Sequence, residues 1–222
     1  MIRGVIFDLD GVLVTTDELH FQSWQRLTNE EGIPFSRAIN ERLRGISRME
    51  SLEIVLEQAP RLYTAEQKQA LCDRKNGYYR ALLATLTAAN LLPGALEMVA
   101  ELRRRGIRTA VGSSSRNTGA ILDKLVLRGL FDAVVDGNDI YRSKPDPEVF
   151  LLAAERIGLP PAECLVIEDA IAGVESARRA GMPVFGIGTA GKLPGVEHLA
   201  ADLAHVGVEA LLAAAAARAA PG

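Results

Sequence analysis

Five short, largely apolar runs punctuate this chain, at residues 2–7, 107–111, 133–135, 165–167 and 184–187. Runs of this length with few polar residues fit strands buried on both faces, as in a parallel sheet. Helical patterns at 95–105, 118–128 and 147–157 lie between them. Strand and helix alternate, so an α/β fold is expected, with an open parallel sheet flanked by helices.

One connection breaks that rhythm. About 100 residues separate the first run from the second without a convincing strand, far more than a crossover helix needs. An inserted helical domain is the economical explanation. Ser47-Arg48-Met49-Glu50 and Thr64-Ala65-Glu66-Gln67 both match the capping box, in which a hydroxyl and an acid or amide three residues later satisfy free backbone N–H groups. Each precedes apolar residues at helical spacing: Leu52, Val55, Leu56 and Ala59 in one stripe, Leu71, Tyr78 and Leu82 in the other. The insert is expected to begin after Val14 and to end near Leu91-Leu92-Pro93-Gly94, where Pro and Gly break the pattern. The expected division is a core of residues 1–14 and 93–222 and a helical cap of residues 15–92, with the two crossings as a hinge. Residues from about 212 to 222 are nearly all alanine and end in Pro-Gly, which reads as a frayed helix or a disordered tail.

Length and composition allow this division. The 222 residues suffice for one sizeable core and a second small unit. A hydrophobic fraction of 48% with 24% charged residues is ordinary for a globular chain, and no apolar run approaches the ~18 residues a bilayer span requires. The net charge of −3 lacks the excess of Lys and Arg that draws a protein to nucleic acid or anionic lipid, so neither partner is expected. An anionic small molecule would be held by local cations instead, with Arg48, Lys75, Arg116 and Lys144 as candidates. The first strand begins almost at once, without the apolar stretch of a secretory signal, so a cytoplasmic location is the expectation; a monomer is expected too. Cys72 and Cys164 lack metal-type spacing and read as two reduced, packed thiols.

Open parallel sheets gather their ligands at the carboxyl ends of the strands. Asp8, Ser113 and the Glu168-Asp169 pair each follow an apolar run, and Lys144 lies in the loop after another, so positions about 160 residues apart converge on one edge. Taken alone, Asp8-Leu9-Asp10-Gly11 reads equally well as a turn whose side chains bond their own backbone. Asp17 reads as a helix cap ahead of an apolar stripe. Mg²⁺ takes oxygen ligands and borrows one or two carboxylates, which Asp8 and Asp169 supply. With Glu168 beside them, such a cluster would repel itself without a cation, although Glu168 fits equally as a cap for the helix starting near Ala172. A carboxylate attacking phosphorus needs the phosphate charge neutralised, which Lys144 and Mg²⁺ can do from opposite sides while Ser113 donates a hydrogen bond. Pro145 restricts the loop that carries the lysine.

Asp8-Leu9-Asp10-Gly11, Ser113, Lys144-Pro145 and Glu168-Asp169, in this order, resemble the four motifs of the haloacid dehalogenase superfamily, and the likeness covers essentially the whole chain. Within it, His20-Phe21-Gln22-Ser23-Trp24, Arg44-Gly45-Ile46-Ser47-Arg48, Arg74-Lys75-Asn76, Ser115-Arg116-Asn117 and Ser143-Lys144-Pro145 resemble the β-phosphoglucomutase branch. The resemblance implies a Rossmann-like core with a cap inserted after the first motif, Mg²⁺ as cofactor, and a covalent aspartyl-phosphate at Asp8. Asp10 would be general acid and base, with its backbone carbonyl on the metal. Asp169 would be a metal ligand, and Glu168 one directly or through water. By the same resemblance Gly45, Ile46, Arg48 and Ser51 would hold substrate from the cap, and Ser115, Arg116 and Asn117 would hold it beside the core. Thr16, His20, Trp24 and Lys75 would contact substrate or sense closure. Read without the family, His20 and Trp24 stand four apart on one helix and could simply pack, Lys75 is an exposed helical lysine, and Arg48 favours only its own helix. Thr15 stands where many relatives carry an acid, and Ala170 where the best-known mutases carry serine, which touches hinge detail and not the reaction class.

The implied reaction is a phosphotransferase-type isomerisation of β-D-glucose 1-phosphate (glucose 1-phosphate) and D-glucose 6-phosphate through β-D-glucose 1,6-bisphosphate. A sugar-phosphate phosphatase built on the same core is the alternative, since an aspartyl-phosphate open to water hydrolyses. A catalytically silent scaffold is a third reading, disfavoured by the intact motifs.

Overall fold

Val5 and Phe7 face one side of strand β1 (Gly4–Phe7) and Ile6 the other, and all three are fully buried. A strand with no polar side chain to offer to water belongs in the middle of a sheet. In the computed structural model, which describes residues 1–188, 196 and 198–216, β1 is that middle strand. It pairs in parallel with β2 (Arg108–Gly112) on one side and β4 (Cys164–Glu168) on the other. β3 (Ala133–Val135) extends the sheet beyond β2, and β5 (Val184–Ile187) and β6 (Leu199–Ala200) extend it beyond β4, giving the order β3-β2-β1-β4-β5-β6. The chain runs outward from β1 in one direction and then in the other, so the loops after β1, β2 and β4 part at the centre of the carboxyl edge. β6 is only two residues long, too short to leave a hydrophobic signature.

The long connection after β1 holds four helices: α1 (Asp17–Glu31), α2 (Arg37–Glu41), α3 (Arg48–Leu56) and α4 (Ala65–Leu83). Ser47 and Thr64 start α3 and α4, and in both capping boxes the two reciprocal bonds are formed. Trp24, Leu27, Leu52, Val55, Leu71 and Cys72 give this unit a hydrophobic core of its own. The buried line along α4 runs through Leu71, Cys72, Lys75, Tyr79 and Leu83 instead of Tyr78 and Leu82. Counting Lys75 as polar shifts the apparent phase by one residue. Asp17 is the first residue of α1, with Thr16 in the cap position, so its carboxylate does not cap the helix but faces Arg44 at 3.0 Å. The two chain crossings lie side by side, with Thr15 N–H donating to the Asn90 carbonyl at 2.8 Å and Leu92 N–H to that of Leu13 at 3.0 Å.

Five helices sandwich the sheet. The Val5/Phe7 face is covered by α5 (Ala95–Arg104), α6 (Thr118–Lys124) and α9 (Val208–Ala216), and the Ile6 face by α7 (Glu148–Arg156) and α8 (Ile171–Arg179). α6 is shorter than the pattern at 118–128 predicts. Val126 adopts φ 57 and Leu127 N–H returns to the Leu122 carbonyl at 2.8 Å, a left-handed helix end with valine where glycine is usual. The alanine-rich end is helical through Ala216, anchored by fully buried Leu211, and residues 217–222 lie outside the described residues. No helix among the described residues is long and apolar enough to cross a membrane.

Candidate active site

Asp8 is held at the carboxyl edge because β1 ends there: its N–H donates to the Ile167 carbonyl of β4 at 3.0 Å. The loop after β3 reaches back and buries Lys144 completely, and its Nζ donates to Asp8 Oδ1 at 2.5 Å and to Glu168 Oε2 at 2.9 Å. Burial works against the lysine's charge, but Asp8 and Glu168 outweigh it and hold Lys144 above the ordinary lysine range. Glu168 serves twice, since its other oxygen accepts the N–H groups of Asp169 and Ala170 at 3.0 Å, at the start of α8. Those two residues precede α8, whose first turn has no side-chain cap, so Glu168 fastens the turn into the helix and does not cap the helix itself. Gly173, the third residue of α8, leaves the room Glu168 occupies: a Cβ there would lie 1.9 Å from Glu168 Oε2.

Asp8, Glu168 and Asp169 bring carboxylate oxygens within 4.8 Å of one another. Burial, then Glu168, push the Asp8 carboxyl up to about 7 against the pull of Lys144. Asp169 is raised well above the usual carboxylate range, by burial first and by Glu168 and Asp8 next. Two carboxyls held above their usual range, Asp8 and Asp169, with the carboxylate of Glu168 beside them, are a donor set suited to a hard divalent cation, which takes oxygen ligands and relieves the repulsion. Gly11, at φ 88, lets the first loop approach this cluster, because a Cβ there would meet Asp169 Oδ2 at 2.0 Å.

Above the carboxylates lies a cavity of 720 Å³ between the sheet edge and the inserted helices. Asp8, Asp10, Ser113 and Asp169 line its floor. Thr16 stands behind Asp10, and its hydroxyl donates to Asp10 Oδ1. Burial lifts the Asp10 carboxyl to about 6, against the Thr16 bond and the charges of Lys75 and Lys144. Ser113 Oγ accepts the Ser115 N–H at 3.2 Å, and Ser115 Oγ accepts that of Asn117 at 3.2 Å, so the loop after β2 presents a chain of polar groups at the wall. Arg116 projects from that loop with Nε donating to the Gly137 carbonyl at 3.1 Å.

The inserted helices supply the roof. Gly45, Ile46, Arg48 and Ser51 line it, and Arg48 has no ion-pair partner among the described residues. Its pKa is lowered, chiefly by burial, with the charge of Arg116 adding to the effect. His20 and Trp24 line the cavity from α1, and Trp24 is also part of the helical core, so packing and lining coincide there. Lys75 is 2% exposed, not the solvated lysine its helix suggested. Its Nζ lies 2.9 Å from His20 Nδ1 and over the rings of Trp24 and Tyr79. Burial first, then Arg48, bring Lys75 down to about 7, while burial and Lys75 hold His20 well below the ordinary imidazole value. Thr16, Lys144 and Glu168 stand behind the cavity wall and position groups that line it.

Contacts across the cavity involve residues to which the motifs gave no role. Arg44 Nη2 pairs with Asp169 at 2.7 Å, and Asn117 Nδ2 donates to Asn76 Oδ1 at 3.0 Å. Arg44 and Asp169 are 125 positions apart, and nothing local in either segment points to the other.

A doubly wound parallel sheet with a helical insert after its first strand, and a paired carboxylate and buried lysine under that insert, defines a phosphoryl-transfer class of site. The family model for haloacid dehalogenase-like hydrolases matches residues 2–181. The chain is 44% identical over 189 residues to a β-phosphoglucomutase of Bacillus subtilis, covering 84% of each. It is 31% identical over 192 residues to a phosphorylated-carbohydrate phosphatase of Thermotoga maritima, covering 84% of this chain and 85% of that one. The crystal structure of a β-phosphoglucomutase from Clostridium difficile superposes with a TM-score of 0.93 at 31% identity, covering 99% of both chains. The chain belongs to the haloacid dehalogenase-like hydrolase family.

Proposed function

We propose that this protein is a phosphotransferase-type isomerase, a β-phosphoglucomutase that interconverts β-D-glucose 1-phosphate and D-glucose 6-phosphate through β-D-glucose 1,6-bisphosphate. The observation that carries this reading is a cavity with cationic groups at two separate places. One is the floor, where Asp8 meets Lys144; the other lies between roof and wall, where Arg48 and Arg116 present guanidinium groups with no ion-pair partner among the described residues. A monophosphatase needs only the first position. Two guanidinium groups in one cavity suit a second phosphate. The similarity to the Bacillus enzyme supports the same choice.

Asp8 is the nucleophile, and Lys144 neutralises the phosphoryl charge while Ser113 donates a hydrogen bond to it. Asp10, held by Thr16 and with a carboxyl near 6, takes the proton of the accepting sugar hydroxyl in one direction and returns it to the leaving oxygen in the other. Mg²⁺, held by Asp8, Asp169 and the backbone carbonyl of Asp10 with Glu168 directly or through water, would supply the remaining charge neutralisation. Gly45, Ile46, Arg48 and Ser51 grip the sugar phosphate from the roof, Ser115, Arg116 and Asn117 from the wall, and His20, Trp24 and Lys75 close over it. Residues 15–92 move as the cap on the paired crossings at Leu13–Thr15 and Asn90–Leu92. All of these groups come from one chain, which suits a monomer, and two buried free thiols suit a reducing compartment such as the cytoplasm.

The test is a coupled assay with each anomer of glucose 1-phosphate, Mg²⁺ and a trace of the 1,6-bisphosphate. Glucose 6-phosphate from the β anomer, with little inorganic phosphate, is expected. Release of glucose and phosphate alone would make the protein a sugar-phosphate phosphatase.

A further inference from the structure

Glu50 is the third residue of α3 and closes its capping box: Oε2 accepts the Ser47 N–H at 2.9 Å. The same oxygen accepts the hydroxyl of Ser143 at 2.5 Å, across 93 positions of chain and from the helical insert to the sheet domain. Both residues line the cavity. Arg48 is the first residue of α3, and Ser143 immediately precedes Lys144. A single carboxylate oxygen therefore ties the turn that presents Arg48 to the loop that carries the buried lysine. Burial works against charge on Glu50, but the hydroxyl of Ser143 and the groups of Ser47 outweigh it and keep the carboxyl below its ordinary range, as charge-assisted bonds do.

We propose that Glu50 and Ser143 are positioning residues that set whether the phosphoryl group on Asp8 goes to a sugar hydroxyl or to water. The inference rests on the mutase reading. In transfer, the sugar oxygen bonds to phosphorus as the bond from phosphorus to the Asp8 oxygen breaks, and the hydroxyl proton passes to Asp10. In the leak a water oxygen does the same, gives its proton to Asp10 and leaves as inorganic phosphate. Both routes use the same reaction centre, so what separates them is how well the roof stays seated over Asp8. The Arg44–Asp169 and Asn76–Asn117 contacts also cross the cavity, but each involves a residue placed in the metal or substrate set. Glu50 and Ser143 belong to neither, so changing them leaves the reacting groups in place.

Ser143→Ala removes the crossing bond and leaves the capping box intact. With β-glucose 1-phosphate, trace bisphosphate and Mg²⁺, the ratio of inorganic phosphate released to glucose 6-phosphate formed is expected to rise about tenfold, the size of one hydrogen bond to a charged group. Glu50→Gln, which still fits the capping pattern, should raise the ratio too, and Ser143→Thr, which keeps the hydroxyl, should restore it. If the two products fall together at an unchanged ratio in Ser143→Ala, the contact is only structural support and the inference is overturned. A wild-type protein that forms no glucose 6-phosphate would instead overturn the mutase reading, and this role with it.

Discussion

Asp8 and Lys75 show how much a single side chain depends on what the fold puts beside it. Asp8→Asn is expected to keep the fold, because the amide occupies the same volume, and to lower turnover by at least about 10⁴-fold, as loss of a nucleophile does; circular dichroism and the coupled assay check both halves. For Lys75 the sign of the pH effect follows from its depressed value. Its pKa is about 7 when folded and 10.5 in the unfolded chain, so between those limits the unfolded chain binds more protons and stability rises with pH. Below about 7 the burial penalty is fully present. Urea midpoints of the wild type should therefore climb from pH 7 to pH 9.5 relative to those of Lys75→Met, and parallel curves would show that the ammonium is not strained. The sequence placed Lys75 in a family segment and on a helix, but its own pattern suggested exposure. Burial of a lysine against Trp24, Tyr79 and His20 comes from three side chains on two helices, which no local spacing encodes.

At the level of elements, glycine and valine exchange their usual places. Val126 sits at φ 57 with its side chain 85% exposed, so it bears the cost of a left-handed β-branched residue without burying much surface in return. Val126→Gly should stabilise the protein by about 1 kcal/mol in chemical denaturation, the opposite of the effect of glycine inside a helix. Gly173 runs the other way. Alanine ordinarily favours a helix interior over glycine by ~1 kcal/mol, but here the added methyl would meet Glu168. Gly173→Ala should weaken Mg²⁺ binding at least about tenfold, as loss of a metal-supporting group does, read as a smaller rise in melting temperature per increment of Mg²⁺. The same elements show what a sequence pattern conveys. Strands β1 to β5 were legible because burial between two helical layers leaves them largely apolar, and α3 and α4 because their capping boxes are local. The end of α6 was not, since no glycine marks it, and neither was β6, whose two residues bury too little to leave a pattern.

Across the whole molecule, the carboxyl edge concentrates negative charge where the fold removes water. Asp8 is pushed from 3.8 up to about 7 and Asp169 well above its usual range, so without a cation the folded chain binds more protons and stability falls as pH rises from 3.8 to about 7. Adding Mg²⁺ at about a hundred times its dissociation constant should add ~2.7 kcal/mol to unfolding, seen as a melting temperature that rises with Mg²⁺ and loses most of that rise in Asp169→Asn. By itself the sequence determined the alternation of strand and helix, the insert after the first strand, and the order of Asp8, Ser113, Lys144 and Glu168-Asp169 along the chain. Those follow from side-chain periodicity and from residues at strand ends, both of which are local. Only the tertiary structure decided that Lys144 binds Asp8 and Glu168 together, that Arg44 reaches Asp169, and that Glu50 meets Ser143. Those partners are brought together by the burial of three separate hydrophobic cores, a property of the whole chain that no segment carries.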